Sequence, residues 1–252
     1  MPRLGLALKS VYTEASSAGR VAGFTNNYSL AFDGTNDYID FGDVAAFDGL
    51  AVWSLSAWFK SSSSGADQAI FSKGNPDGDN DGIDVFYDSE EIYIDMQTDA
   101  GNFRANTTGN AFAADSTWYH LAIVYNGSTI LIYKDASVVK TATSITGTTV
   151  DSSKVLWVGR RHQTPSKYLT GNIDDMAFWD AALSAADVTA IYNSGTPTDL
   201  TSTGSYDTDR TGDLQGYWKF EEGSGTSATD SSDGGNDGTI TNGAAYDDSV
   251  TA

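Results

Sequence analysis

The sequence predicts an all-β protein that folds as a two-sheet antiparallel sandwich with one short helix near residues 184–194. Its apolar segments are short and frequently interrupted, and its 26 glycines and 13 tyrosines favour strands and turns over long helices. The 252 residues are 40% hydrophobic and 12% aromatic, which is enough to bury the core of one large β domain.

The first strands follow an N-terminal arm of residues 1–26, which shows no clear periodicity. Strand patterns begin at "YSLAFDGTNDYIDFG" and continue through "AVWSLSAWFK", which alternates with a period of two. The residues expected on its buried face are Trp53, Leu55, Ala57 and Phe59. The more polar face carries Ser54, Ser56, Trp58 and Lys60. We therefore expect this strand to be half-buried.

The central strands show two different patterns. The segment "EEIYIDMQ" alternates, with Ile92, Ile94 and Met96 inward and Glu91, Tyr93, Asp95 and Gln97 outward. The segment "TWYHLAIVY" is apolar on both faces, as expected for a central strand that is covered on both sides. Asn126-Gly127 follows it and predicts a type I′ hairpin turn into the next strand.

One segment, "LSAADVTAIYNSG", has the features of a helix. Ser184 is the expected N-cap, Asp187 stands three residues later as in a capping box, and Gly195 follows the last turn. A linker-like stretch covers residues 194–213, after which the pattern returns to strand, loop and strand.

The charge excludes one class of partner. Thirty-four acidic and fourteen basic residues give a net charge of −20, which repels nucleic acid and attracts divalent cations. With no cysteine there is no disulfide, and no apolar run is long enough to span a membrane. The apolar core of "MPRLGLALKS" is too short for an ordinary secretion signal.

The stretch "GNPDGDNDGIDVFYD", residues 74–88, has the spacing that opens a calcium-binding loop. The candidate ligands are Asp77, Asp79, Asp81, the carbonyl of Ile83, and Asp88. An EF-hand would require flanking helices, but both flanks have strand patterns, so we expect a calcium site in a loop that joins two strands. A solvated acidic turn that binds no ion is the alternative.

Six segments together resemble the blocks of laminin-G-like, concanavalin A-like jelly-roll domains. They are "YSLAFDGTNDYIDFG", "WSLSAWFK", "WYHLAIVYNGSTILIYKD", "VLWVGR", "LTGNIDDMAFWDAALSAADVTAIYN" and "GYWKFEEGSGTSATDSSDGGNDGTITNGA". The resemblance spans residues 28–244 and implies a jelly-roll domain over residues 27–252.

The position of the last block departs from this family. It usually opens such a domain, whereas here it closes the chain, so we expect residues 214–244 to occupy the first-strand position as in a circular permutation. A truncated second repeat is the alternative. This late placement and the "MPRLGL" start also resemble laminin-G-like domains of marine bacteriophage structural proteins, which implies a virion surface or other extracellular setting.

The resemblance implies a second, structural calcium. In related domains an acidic residue and a carbonyl near the first strand, with an aspartate on the last strand, hold the ion. The matching positions are Glu221 or Glu222, the carbonyl of Gly223, and Asp174. The alternative is that Asp174 and its neighbour only accept hydrogen bonds from the backbone.

Enzymatic activity is not expected. Some jelly-roll domains are glucanases, but Glu91 and Asp95 would lie about 13 Å apart along one strand, beyond the range of about 5 to 9.5 Å that either glycosidase mechanism requires. His120 lies in the most apolar strand and is expected to be a satisfied buried residue. The chain has no cysteine nucleophile and no serine nucleophile elbow.

Two aromatic residues, Trp58 and Tyr93, fall on otherwise polar faces and are candidate glycan-binding residues. The tryptophans at 53, 118, 157 and 179 have apolar neighbours and are expected in the core. We therefore expect a noncatalytic, calcium-stabilised binding or structural module that contacts carbohydrate or a host surface. A structural subunit that self-associates, or joins other virion proteins, through residues 1–26 is the alternative.

Overall fold

The computed structural model describes residues 24–65, 67–76, 78–163 and 167–250, so most of the predicted arm lies outside the described residues. Within these ranges the chain forms sixteen strands and one α-helix. The first eight strands are β1 (Ser29–Asp33), β2 (Tyr38–Asp40), β3 (Trp53–Ser61), β4 (Gln68–Lys73), β5 (Ile83–Asp88), β6 (Glu91–Thr98), β7 (Gly101–Asn106) and β8 (Tyr119–Tyr125). The other elements are β9 (Thr129–Lys134), β10 (Ser137–Thr143), β11 (Leu156–Val158), β12 (Thr170–Trp179), α1 (Ala185–Tyr192), β13 (Leu214–Trp218), β14 (Ser227–Ala228), β15 (Gly238–Thr241) and β16 (Ala245–Asp247).

The strands form two eight-stranded sheets, which confirms the predicted all-β sandwich. Sheet 1 has the order β10-β9-β8-β3-β12-β1-β16, with β13 also paired to β12. Sheet 2 has the order β14-β15-β2-β11-β4-β5-β6-β7. No helix in the described ranges is long and apolar enough to cross a membrane.

The main hydrophobic core lies between the two sheets. The predicted inward residues of β3 and of β6 all belong to it, as the alternation of their apolar side chains indicated. Every residue of β8 is buried, which confirms its prediction as a central strand covered on both sides. The turn after β8 is not type I′, because Asn126 pairs with Thr129, and of the two residues between them Gly127 has a positive φ of 87° but Ser128 does not.

A second apolar cluster covers the outer face of sheet 1. Helix α1 and the connection that follows it contribute Val188, Ile191 and Tyr206, which pack with Trp179 and Ala122 of the sheet. The predicted capping box is present, with mutual hydrogen bonds between Ser184 and Asp187. Because this layer lies over sheet 1, β3 is almost fully buried, and the prediction of a half-buried strand was wrong.

Residues 214–247 contribute strands to both sheets. Strand β13 pairs with β12, β15 pairs with β2, and β16 pairs with β1, all antiparallel. The backbone N–H groups of Asn27 and Tyr28 also bond to the Glu221 carboxylate, which ties the entering chain to this segment. The last block of the sequence therefore packs as part of this sandwich.

Candidate functional site

A row of side chains crosses the outer face of sheet 2, the face turned away from the core. Cross-strand pairing places Asp40 beside Trp157, Trp157 beside Ser72, and Ser72 beside Asp84. The row continues through Asp95 and Arg104. No helix of the described residues covers this face, in contrast to the outer face of sheet 1. Sheet 2 therefore carries polar and aromatic side chains on a face that no described helix covers.

Trp157 is the aromatic residue at the centre of this face, and its prediction as a core residue was wrong. Its neighbours Leu156 and Val158 both belong to the core, so the alternation of β11 turns Trp157 to the opposite face. This signal was present in "VLWVGR", where the two aliphatic residues flank the tryptophan. Trp118 also falls short of the prediction, because it is only partly buried.

Contacts on several sides fix the orientation of the Trp157 indole. Its N–H donates to Asp40 Oδ2 at 3.2 Å. The His162 ring is stacked on it with ring centroids 3.8 Å apart and planes 8° apart. The Arg160 guanidinium lies 3.8 Å from the indole centroid, and Tyr38 packs against it edge-on at 5.7 Å. The indole is thus a preorganised surface rather than a mobile side chain.

A cleft of about 340 Å³ opens beside Trp157. Its lining residues come from the β4–β5 loop and from the segments that flank β11, namely Asn75, Asp79, Lys154, Trp157, Arg160, Arg161, His162 and Gln163. The lining combines stacked rings with amide, ammonium and guanidinium donors. Apolar faces with a few fixed polar groups are typical of small-molecule sites.

His162 is a neutral member of this cleft near neutral pH. Burial lowers the pKa of its imidazole, against the opposing effect of the Val155 carbonyl. Its Nε2 lies 2.7 Å from that carbonyl and therefore donates to it in the neutral ring. This bond holds the imidazole parallel to the Trp157 indole.

A buried ion-pair cluster supports the floor of the cleft. Arg161 is 5% exposed, and its guanidinium bonds to Asp84, to Asp95 at 3.0 Å and to Asp67 at 2.9 Å. It also lies 3.6 Å from the centroid of the Phe86 ring. Burial raises the pKa of Asp84 to about 6, although Arg161 opposes the shift. Asp84 Oδ1 has no hydrogen-bond partner among the described residues.

Asp84 and Asp95 are adjacent carboxylates on the face where a glycosidase would need its acid pair. Both are 0% exposed, because Arg161 lies over them and Arg104 bonds to both oxygens of Asp95. A catalytic acid and its partner must reach the glycosidic oxygen and the anomeric carbon. Asp84 and Asp95 are instead buried in ion pairs with Arg161, so they are not placed to reach a sugar.

The β4–β5 loop joins two strands, as predicted, but its Asp79 and Asp81 side chains already have partners. Asp77 lies outside the described residues. Asp79 forms an ion pair with Lys154 at 2.9 Å, and Asp81 accepts from the Asn75 N–H at 2.8 Å and the Ser152 hydroxyl at 3.2 Å. Among the described residues, no three acidic or histidine side chains are grouped to hold a metal ion.

The two remaining ligands predicted for this loop are not close together. Ile83 is the first residue of β5 and pairs with both Lys73 and Met96. Asp88 ends the same strand and accepts from the Ser89 hydroxyl at the next turn. Five residue steps separate them, about 17 Å along a strand. Asp88 therefore cannot complete a calcium loop with Asp79 and Asp81, and that prediction was wrong.

A bulge in β12 brings Asp174 and Asp175 to the outer face of sheet 1. The register shifts between Asp174 and Ala177, and Asp175 has a φ of 44°. Burial raises the pKa of Asp175 to about 7, and burial with the nearby Asp175 charge raises that of Asp174 well above its usual range. One oxygen of each, Oδ2, has no hydrogen-bond partner among the described residues.

The charge of Glu221 contributes to the raised pKa of both aspartates. Glu222 points elsewhere and accepts from the Thr229 N–H at 2.7 Å and the Tyr246 hydroxyl at 2.8 Å. Of the two glutamates predicted from the resemblance, Glu221 is therefore the one whose charge reaches Asp174, although its carboxylate already accepts from the Asn27 and Tyr28 N–H groups, and Glu222 is held by other partners.

The two predicted glycan-binding aromatics differ in accessibility. Trp58 is 4% exposed, packed between His120 and Tyr192 of helix α1, so its prediction as a surface platform was wrong. Helix α1 covers this face of β3, which the alternation of the strand sequence alone predicted to be exposed. Tyr93 is partly exposed on the outer face of sheet 2 and stacks on Phe86 with centroids 5.0 Å apart.

A larger cleft of about 460 Å³ lies at one end of the sandwich. It is lined by Gly34, Thr35, Ser63, Gly65, Gln68, Lys167, Tyr168 and Thr170. Among its described lining residues Tyr168 is the one aromatic side chain. Gln68 is committed to two backbone carbonyls and one N–H. The smaller cleft has the better-defined aromatic surface.

Comparison with known proteins identifies the family and the fold of this chain. A family described as the concanavalin A-like lectin/glucanases superfamily matches residues 33–189. No curated protein matches the chain. The fold of this chain is similar to that of a Bacteroides ovatus protein to which carbohydrate binding is provisionally ascribed, with a TM-score of 0.64, 16% identity and 90% of this chain covered. This chain spans only 62% of that protein's length.

Two further solved structures show the same similarity. The CBM40 of Ruminococcus gnavus IT-sialidase, bound to α2,3-sialyllactose, has a TM-score of 0.55 at 14% identity, with 65% of this chain and 96% of that one covered. The SAP-like pentraxin of Limulus polyphemus has a TM-score of 0.51 at 16% identity, with 66% and 82% covered. At these identities the similarity establishes a shared fold.

Proposed function

The chain belongs to the concanavalin A-like lectin/glucanase superfamily, and from this premise we propose that it is a noncatalytic carbohydrate-binding module. The sugar contacts the exposed edge of the stack formed by Trp157, His162 and Arg160 on the outer face of sheet 2 and extends into the adjoining cleft. The observation that carries this proposal is the fixed indole of Trp157, stacked with His162 beside donor groups. A sugar ring has apolar C–H faces and a hydroxyl rim, which suit such a surface.

Relatives in the fold support this proposal. One solved relative is a sialidase CBM40 bound to a sialylated sugar, and another is a Bacteroides ovatus protein with carbohydrate binding ascribed to it. Asp84 and Asp95 are fully buried, which supports sugar binding rather than sugar hydrolysis on this face. Tyr93, on the same face, is proposed as a secondary contact for a longer glycan.

The test is a glycan array with the wild-type chain and Trp157→Ala. We expect binding to at least one glycan, and an affinity about tenfold or more lower in the variant, because truncating a central aromatic contact costs about 2 kcal/mol or more. Trp118→Ala is the matched control, since Trp118 is a partly buried tryptophan outside the cleft. A glycan bound equally by both variants would place the site elsewhere. The absence of any bound glycan would favour a purely structural subunit.

We also propose a structural calcium at Asp174 and Glu221, on the opposite side of the sandwich from Trp157. The unpartnered, buried Oδ2 atoms of Asp174 and Asp175 support this fit, because calcium prefers carboxylate and carbonyl oxygens. A bound cation would favour the ionised carboxylates that burial disfavours. The ion would join β12 to the segment that closes the chain.

Calcium is expected to raise the thermal unfolding midpoint. At ten times its dissociation constant a ligand adds about 1.4 kcal/mol, or roughly 3 to 5 °C for a domain of this size. Asp174→Asn should remove the calcium effect, whereas the matched Asp88→Asn should keep it. An equal calcium shift in both variants would exclude this site, and no shift in the wild-type protein would exclude structural calcium.

The setting proposed for the module is a virion surface or another extracellular surface, where it would decorate a capsid or tail. The support is the resemblance of its block order and of its N-terminal residues to phage structural proteins. Mass spectrometry of purified particles would test it, since a surface protein should be lost on mild protease treatment of intact particles.

A further inference from the structure

We propose that Lys73 is a positioning residue for the cleft beside Trp157, because its buried ammonium fixes the loop that orients the aromatic stack of the cleft. This inference rests on the proposed function and identifies what holds that same site in shape. Lys73 ends strand β4 and pairs with Leu156 of the core, so its side chain points inward between the sheets. That side chain is 1% exposed. A lysine is almost never buried to this degree unless its ammonium is paired.

Four oxygen atoms from two loops surround the Lys73 ammonium. Its Nζ lies 2.7 Å from Asp43 Oδ1 and 3.3 Å from Asp48 Oδ2, both in the connection between β2 and β3. It also donates to the main-chain carbonyls of Ser152 at 2.8 Å and Lys154 at 3.0 Å, in the connection between β10 and β11. A bound calcium ion gathers carboxylates and carbonyls in the same way. Lys73 therefore fastens both loops to the end of β4.

The Asp48 carboxylate is the partner that depends most on this ammonium. Its side chain is 12% exposed, whereas that of Asp43 is 51% exposed and can be hydrated instead. Burial raises the pKa of Asp48, the Ser152 N–H and the Lys73 ammonium oppose this rise, and the Asp151 charge adds to it. Removal of the ammonium would therefore strand the Asp48 carboxylate and release the two carbonyls.

The carbonyls bound by Lys73 stand directly before the carbonyl that orients His162. The His162 ring donates to the Val155 carbonyl at 2.7 Å and stacks on the Trp157 indole. The side chain of Lys154, whose own carbonyl bonds to Lys73, lines the cleft as well. Main-chain bonds to Lys73 thus fix the segment from which both cleft features project.

Other contacts join the two walls of the cleft near this segment. The Ser152 hydroxyl bonds to Asp81 Oδ2 at 3.2 Å, and Asp81 Oδ1 accepts from the N–H of Asn75, which lines the cleft from the β4–β5 loop. The ion pair between Lys154 and Asp79 crosses in the same direction. Its side chains are 39% and 51% exposed, and exposed ion pairs contribute little. The buried ammonium at the end of β4 is therefore the stronger tie.

Proton NMR of the two histidine rings tests this role without any glycan. The stacked Trp157 indole displaces the ring-proton signals of His162, which His162→Phe identifies. In Lys73→Met we expect these signals to move toward those of an unstacked histidine, because the carbonyl that orients the ring is released. The signals of His120, which lies against Trp58 on sheet 1, should stay in place and serve as the internal reference.

Calorimetry with the tightest-binding glycan of the array measures the consequence for the sugar site. We expect Lys73→Met to lower the affinity about tenfold, because a site that is no longer preorganised must be ordered on binding. Asp187→Asn is the matched control, since Asp187 is a 0% exposed carboxylate paired with Arg210 at helix α1, away from the cleft. It should leave the His162 signals and the affinity unchanged. If Lys73→Met fails to fold, Lys73→Met with Asp48→Asn takes its place, because it removes the stranded charge as well.

The outcomes separate this inference from the proposed function. A folded Lys73→Met protein with unchanged His162 signals, or with unchanged glycan affinity, would overturn the positioning role and retain the sugar site. An equal change in Asp187→Asn would also overturn it, because general loosening would then explain the effect. A wild-type protein that binds no glycan would overturn the proposed function, whereas the His162 signals would still decide whether Lys73 holds the cleft in shape.

Discussion

Arg161→Leu is expected to lower the free energy of unfolding by about 3 to 5 kcal/mol, because it leaves buried carboxylates without their cation. The side chains of Asp84 and Asp95 are 1% and 0% exposed, and Arg161 is the cation that contacts both. Asp95 keeps its two bonds to Arg104, so most of the loss arises at Asp84. Urea unfolding of the wild-type and variant proteins measures the difference.

The loss should depend on pH in a defined direction. The pKa of Asp84 is raised to about 6 from an ordinary 3.8, so the stability linked to its proton is fully present below about pH 4 and is lost as pH rises through 6. Without Arg161 this pKa rises further, so Arg161→Leu should cost more at pH 8 than at pH 4.5.

Two variants serve as controls for this prediction. Arg104→Leu removes a guanidinium that is 48% exposed and should cost about 1 kcal/mol or less. Adding Asp84→Asn to Arg161→Leu should recover part of the loss, because it removes the stranded charge. An equal loss at pH 4.5 and pH 8, with no recovery, would mean that Arg161 contributes only by packing.

His120 is expected to make the protein sensitive to acid. Burial lowers the pKa of its imidazole to about 3, and its Nδ1 has no hydrogen-bond partner among the described residues. The ring is 1% exposed between Trp58 and Tyr192. In the unfolded chain its pKa is about 6.5, so between pH 6.5 and 3 only the unfolded state takes up this proton. Stability therefore falls as pH falls through that window.

At pH 4.5 the protonation of His120 in the unfolded chain should lower the free energy of unfolding by about 2.7 kcal/mol, because pH 4.5 lies two units below about 6.5 and each unit contributes about 1.36 kcal/mol. His120→Phe should reduce the loss of unfolding free energy between pH 7 and pH 4.5 by about that amount. Because the comparison is made within each variant, any packing cost of phenylalanine cancels. His162→Phe is the control with a smaller expected effect, since His162 is less buried. If both variants retain the wild-type pH dependence, His120 is not the acid-sensitive group.

The alternation of apolar residues along each strand was sufficient to predict which side chains face the core between the sheets. It could not predict which side chains helix α1 covers on the outer face of sheet 1. The alternation in β3 and β6 identified their inward residues, because a two-residue period has only one way to bury its apolar set. Trp58 shows where this fails. Its exposure depends on whether helix α1, more than 120 residues away in sequence, lies over it, and the alternation of one strand carries no such information.

The candidate site was predicted only in part for a related reason. Trp157 could have been assigned to the outer face from its flanking Leu156 and Val158, but its use depends on His162 and Arg160 folding back over the sheet. Arg161 and Asp84 meet across 77 residues of chain, which no spacing rule reveals. Asp79 and Asp81 had the residue types of a calcium loop, but Lys154 and Ser152, from another segment, provide partners for both.

The six tryptophans provide the most direct measurement of the central claim. In a spectrum of the ¹⁵N-labelled indole groups, each tryptophan gives one N–H signal, and Trp157→Phe identifies the signal of Trp157. Titration with a glycan that binds on the array should shift the Trp157 signal, whose N–H bonds to Asp40, far more than those of the buried Trp53, Trp179 and Trp218. A saturating glycan that leaves the Trp157 signal in place, or shifts Trp118 instead, would contradict a sugar site on the outer face of sheet 2.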